Sequence, residues 1–169
     1  MKKTINYRLT TAEKQLLKAK KLSQKMLRDY APDEIATLLE ASPLRTKELN
    51  ALAEFQSIPS LGINFAEELI SQGYYSLEQL KGKPAVELFD AFEQYCGTWA
   101  DPCVEDSYRL LVHYIETRDD SKRWWHFSAE RKSYREQYGF PANRPQKPWY
   151  QSGQYPKMDT YHQGLTTQQ

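Results

Sequence analysis

The chain has 169 residues, 40% of them hydrophobic and 13% aromatic, with a net charge of +1. That is the length of one domain with room for an ordinary core, and the aromatic content excludes a wholly disordered chain. No run of about 18 apolar residues argues for a membrane span. The lysines of the opening MKKTINYRLTTAEKQ have no apolar stretch behind them, so no secretory signal is read and the cytoplasm is the expected location. Cys96 and Cys103 are the sole cysteines and form no pair at metal-ligand spacing, so neither a disulfide framework, a zinc finger, a metal nor a cofactor is expected.

Residues 1–30 hold nine basic side chains against Glu13 and Asp29, a net of +7, so the rest of the chain carries −6. Thr10 with Glu13 reads as a capping box opening a helix that runs to about Tyr30, before Pro32. Along it Lys14, Lys18, Lys21, Lys25 and Arg28 line one face, and Ala12, Leu16, Ala19, Ser23, Met26 and Tyr30 fall about 200° round, on a face that can pack. Residues 1–31 therefore read as a basic amphipathic helix. Such a face can track a phosphate backbone with salt-dependent affinity. It can equally meet an acidic partner or membrane surface, dock on the acidic remainder of this chain, or stand solvated without a ligand.

Residues 32–139 read as an all-helical domain. Pro32-Asp33-Glu34 opens a short helix to about Glu40, and Ser42-Pro43 caps a third that carries Leu44, Leu49, Leu52 and Phe55. At the centre lies FQSIPSLGINFAEELISQGYYSLEQLKG, residues 55–82, which reads as helix, tight turn, helix. Pro59 breaks the first helix, and Gly62 is the residue expected to tolerate the positive φ of the reversal. The helix over 63–72 sets Phe65, Ala66, Leu69 and Ile70 inward and Asn64, Glu67, Glu68, Ser71 and Gln72 outward. Gly73 sits at a left-handed C-terminus, and Ser76 with Gln79 opens a further short turn.

Pro84 starts a helix with the stripe Ala85, Leu88, Phe89, Phe92 and Cys96, stopped by Gly97. Asp101-Pro102 caps a longer one with Cys103, Ser107, Leu110, Leu111 and Tyr114 on one side. Both cysteines thus read as buried structural thiols. In Arg123-Trp124-Trp125-His126-Phe127, one Trp reads as a lid over the central helices; stacking of an exposed Trp on an unpaired base is the other reading. Ser128 is expected to cap a helix over 129–138, closed by Gly139. Residues 140–169 alternate Pro with Trp and Tyr and read as an extended tail that docks on its own domain or on a protein partner, or is a flexible terminus.

The apolar, small, apolar, Gly turn at 58–62, followed by a helix with Ala at its fourth position, resembles the helix-hairpin-helix motif. That motif holds backbone phosphates on the free amides of the turn and of the second helix's first turn. By this resemblance the site is Ser60, Leu61, Gly62, Ile63 and Asn64, with the basic face Lys14, Lys18, Lys21, Lys25 and Arg28 adding attraction. No Lys or Arg follows Gly62, so the turn brings no cation of its own, and a non-binding helical corner is the plainer alternative.

More widely, IPSLG, AEELISQGY, LEQLKGKP, LFDAFEQYCG, DPCVEDSYRLLVHYI and WW, in that order over about 55–125, resemble the bacterial pathogenicity-locus family of small helix-hairpin-helix proteins. The resemblance implies a bacterial, cytoplasmic, all-helical, DNA-associated protein without enzymatic activity, some relatives being labelled as mitomycin-resistance proteins. This chain departs from the usual pattern at Ser60 and Ile63, where relatives carry Gly and Lys, and at Pro102, where they carry Arg.

No Walker loop, nucleophile elbow, HExxH or buried carboxylate pair is seen, and Glu67-Glu68 and Asp119-Asp120 read as solvated surface. Two readings stand. One is a sequence-nonspecific DNA-backbone binder. The other is a protein-interaction adaptor acting through the basic helix or the tail. As helix-hairpin-helix modules work in pairs, either a second one lies within 32–52 or the chain forms a homodimer.

Overall fold

The computed structural model describes residues 3–152, and their regular structure is helical throughout. In chain order it runs α1 (Thr11–Ala19), α2 (Pro32–Leu38), α3 (Pro43–Ser57), α4 (Ile63–Ser71), α5 (Ala85–Cys96), α6 (Pro102–Thr117), α7 (Ser128–Tyr138) and α8 (Trp149–Ser152). Short 3-10 turns occupy Gln24–Asp29, Glu78–Leu80 and Trp124–Phe127. The one extended pairing among the described residues is a bridge between Trp99 and Pro148.

α3 starts where Ser42 Oγ accepts the Arg45 N–H at 3.1 Å, satisfying a first-turn amide. Its Leu49, Leu52 and Phe55 are fully buried, and it packs against α2 and α4. α4 ends as its sequence requires: Gly73, at φ 90°, sends its N–H to Ile70 O, and Tyr74 sends its own to Leu69 O. α5 and α6 form the second packed pair. Their meeting point is Tyr108, which has no exposed surface and is ringed by Phe65, Phe92 and Phe89 at centroid distances of 4.9, 5.9 and 6.3 Å. Each such ring contributes about 1.5–3 kcal/mol by leaving water.

α7 is held to α6 and α5 by ion pairs rather than by apolar burial. Arg131 reaches Asp106 at 2.7 Å, and Arg135 reaches Glu105 at 3.1 Å and Asp90 at 2.8 Å. Ser128 does not cap this helix: it lies within it, and its hydroxyl donates to Asp106. The following segment also docks on the domain. Arg144 makes a two-pronged pair with buried Glu93, and Trp149 donates its backbone N–H to Trp99 O. The part of the tail over 153–169 lies outside the described residues. Buried Glu93, Glu105 and Asp106 are thus partners of local arginines, not a landing surface for the N-terminal lysines.

The single basic helix expected up to Tyr30 does not form. α1 stops at Ala19, because Lys21 takes a left-handed φ of 57° and Leu22 N–H turns back to Leu17 O. A 3-10 turn over Gln24–Asp29 follows. The packing face is Glu13, Leu17 and Leu27, whereas Ala12, Ala19, Ser23 and Met26 are exposed. Glu13 closes the expected capping box with Thr10 and also meets Arg45 of α3 at 2.7 Å.

Candidate functional site

The turn at 58–62 is built differently from its sequence reading. Ser60, not Gly62, adopts the left-handed conformation, at φ 62°. Gly62 is extended at φ −108°, which any residue can take, and a Cβ placed there would meet nothing within 4 Å. A bulky residue at 62 is therefore tolerated by the backbone, contrary to the sequence expectation. Ser60 is held by its hydroxyl, which accepts the Trp124 backbone N–H at 3.0 Å. Trp124 is half-buried over the turn and Trp125 is exposed.

Of the turn amides expected to face a phosphate, that of Leu61 is taken, donating to Ile58 O at 3.2 Å. Gly62 stands at the N-cap of α4 and has no side chain to offer, so Gly62, Ile63 and Asn64 present their amides without a side-chain cap. Gly62 and Asn64 are exposed, Ile63 half-buried.

The cation absent from the turn comes from elsewhere. An N-terminal strap, residues 3–9, lies along α3 with Asn6 and Gln56 exchanging hydrogen bonds at 2.7 and 3.1 Å. At its start Lys3 Nζ donates to Ile58 O at 3.0 Å and Leu61 O at 2.6 Å. Burial, then repulsion from Arg123, holds the Lys3 ammonium below its ordinary pKa. Arg8 pairs with Glu67 of α4 at 2.7 Å. Lys3, Arg8 and Arg123 therefore gather at the mouth of the turn from two distant parts of the chain.

Beneath the turn, between α4 and α6, opens a cavity of about 580 Å³ whose walls include Arg8, Leu61, Phe65, Val104 and Trp124. Two carboxylates expected on the surface are part of this region and are buried. Glu67 is 2% exposed and neutralised by Arg8. Glu68 is 6% exposed, lines the cavity, and its Oε2 makes no hydrogen bond; burial pushes its carboxyl up to about 8. Cys103 also lines the cavity, half-buried, and burial followed by the hydrogen bond and charge of Asp101 pushes its thiol to about 12. Half-buried Cys96 is raised likewise, by burial, then Glu68 and Glu93. Neither thiol is a ready nucleophile at neutral pH.

The structure does not bring the basic residues to this site. Lys14, Lys18, Lys21, Lys25 and Arg28 are all exposed, but they belong to the opposite end of α3. Glu13 is anchored at the first turn of α3, and Lys20 reaches Leu38 O and Glu40 just ahead of it. The turn follows the last residue of α3, whose 15 residues span about 22 Å. Among the described residues, no His, Cys, Asp and Glu group is placed to hold a metal ion, and no helix is long and apolar enough to cross a membrane.

Sequence reasoning missed Lys3, Arg8, Glu68 and the cavity. The available signal was weak: two cations at the start of a strap with no periodicity, and a Glu-Glu pair inside an otherwise apolar helix.

Comparison with known proteins places the turn in context. A stretch of 80 residues is 26% identical to the mitomycin resistance protein McrB of Streptomyces lavendulae, covering 47% of this chain and 75% of that protein. No solved structure matches. The model of the Cdd1 pathogenicity-locus family matches residues 48–133, from the middle of α3 into α7. That span holds the turn, Glu68 and the parts of the cavity wall drawn from α4, α6 and Trp124, while the strap bearing Lys3 and Arg8 lies outside it. With just over half of its length matched, the chain belongs to the pathogenicity-locus family.

Proposed function

We propose that this protein binds nucleic acid without reading sequence and without catalysing a reaction, holding a backbone phosphate on the first-turn amides of α4. The observation that carries this reading is the N-terminus of α4 left without a side-chain cap near two cations, Lys3 and Arg123, with the charge of Arg8 balanced by Glu67. Unsatisfied first-turn amides and the helix dipole favour an anion there. The two nearby carboxylates do not oppose it: Glu67 is paired with Arg8, and Glu68 keeps its proton at neutral pH. The exposed lysines at the far end of α3 add a weaker, screened attraction.

The test is fluorescence anisotropy of labelled single-stranded, duplex and branched DNA over a salt series, with Gly62→Asp and a Lys18/Lys21/Lys25 charge reversal beside the parent protein. Asp at the N-cap places a carboxylate on the same amides, in free space. The expected result is salt-sensitive binding abolished by Gly62→Asp, with the charge reversal costing only a several-fold loss that fades near 0.15 M salt. Absence of binding at low salt refutes the reading and turns the search to a protein partner.

A further inference from the structure

We propose that the cavity beneath the turn receives one unstacked nucleobase of the bound strand, with Glu68 hydrogen-bonding the base edge and Trp124 lying against the base. This rests on the phosphate-binding reading and adds the part of the nucleotide that reading leaves out. Three observations carry it.

The cavity is continuous with the phosphate site, because Gly62, Ile63 and Asn64 line it. Its volume of about 580 Å³ lies within the range of small-ligand sites, about 300–1,000 Å³. A nucleotide whose phosphate sits on the α4 amides thus has an adjoining space for its base.

The second observation is the wall chemistry. Trp124, Phe65 and Val104 are apolar or aromatic surfaces suited to a flat ring, and stacking of this kind accepts any base. The third is Glu68. A carboxyl group 94% removed from solvent, with Oε2 unpaired, lacks a partner that a buried polar atom ordinarily has. In its protonated form it offers one O–H donor and one C=O acceptor side by side. That pair matches the adjacent acceptor and donor on a nucleobase edge, and a turn of the carboxyl about its last bond, bringing the enclosed Oε2 to the cavity that Glu68 lines, lets an incoming base supply the missing bond. A base inside a duplex is stacked and paired, so the cavity favours single strands.

The experiment compares the full chain's affinity for a short labelled single strand, the same strand with abasic sites throughout, and a duplex, using the parent protein, Glu68→Gln, Glu68→Leu and Trp124→Ala. Thermal melts confirm that each variant is folded. The expected result is binding to the normal strand roughly tenfold tighter than to the abasic strand or the duplex, the scale of one base stacked on an aromatic side chain. Glu68→Gln, which keeps a donor and an acceptor, should retain that preference. Glu68→Leu and Trp124→Ala should fall to the abasic level and no further.

Equal affinity for normal and abasic strands overturns the base pocket and leaves the phosphate site standing. Failure of every strand to bind overturns both. Free nucleoside 5′-monophosphates form the second arm: displacement of the strand only at concentrations far above it supports the assignment, whereas binding as tight as the strand's overturns it in favour of a free nucleotide.

Discussion

At its first turn, α3 carries Arg45, whose guanidinium meets Glu13 at 2.7 and 2.9 Å, Glu48 at 3.2 Å and the carbonyl of Tyr7 at 2.8 Å. Just past its last turn, the chain enters α4, whose amides have no side-chain cap and whose Glu68 has a buried oxygen without a bond. Both regions bury ionisable side chains, one at the start of α3 and one in the helix that follows it. At the first, burial opposes the charge of Arg45, but Glu13 and Glu48 more than offset it and raise its pKa. At the second, the carboxyl is desolvated without compensation and keeps its proton. The difference separates a joint that closes the fold from a place that can still accept a ligand.

The largest effect is expected at the closed end. Arg45→Met leaves Glu13 and Glu48 buried without their cation, and breaking such a pair costs about 3–5 kcal/mol. Urea unfolding should show this loss, with α1 and the strap losing amide protection first. A cost below about 1 kcal/mol would mean that the two ends are not so different.

The open end should respond to pH. Glu68 titrates near 8 in the fold against an ordinary 4.5, so its contribution to stability is whole below 4.5 and is lost as the pH rises through 8. Glu68→Gln removes that loss. Relative to this variant, the parent protein should lose about 3 kcal/mol between about pH 5 and 8, read from denaturant midpoints at each pH. Parallel stability curves for the two proteins would show that Glu68 is solvated. Tyr108 and Cys96, which feel the Glu68 charge, are themselves neutral throughout this window, being raised above their ordinary values of 10.0 and 9.0.

Smaller still is the expected change at Gly62. With extended backbone and open space, Gly62→Ala and Gly62→Asp should alter stability by only a few tenths of a kcal/mol, Asp in the favourable direction. A loss of more than about 1 kcal/mol would show that the turn needs glycine for folding rather than for access.

What could be read from the sequence was local. Thr10, Ser42 and Asp101 cap where their side chains suggest, and Gly73 and Gly97 end helices in left-handed conformations. The end of α1 was hidden because the same geometry that Gly73 announces is adopted there by Lys21, which carries no such signal. Ser60 conceals the reversal of the turn for the same reason. The site was hidden because it is long-range. Arg8 and Glu67 are 59 positions apart, Lys3 and Leu61 are 58 apart, and Ser60 and Trp124 are 64 apart. No periodicity links such pairs, and a Glu-Glu step inside a helix looks solvated until the strap brings Arg8 onto Glu67 and the fold closes round Glu68.

The most direct measurement is a set of amide nitrogen–proton NMR spectra recorded while a short single strand is added to the labelled protein. The account expects the largest shifts at Gly62, Ile63 and Asn64, with α1 and the Gln24–Asp29 turn nearly unmoved. Shifts confined to the lysine-bearing segment, with the α4 amides unchanged, would contradict it.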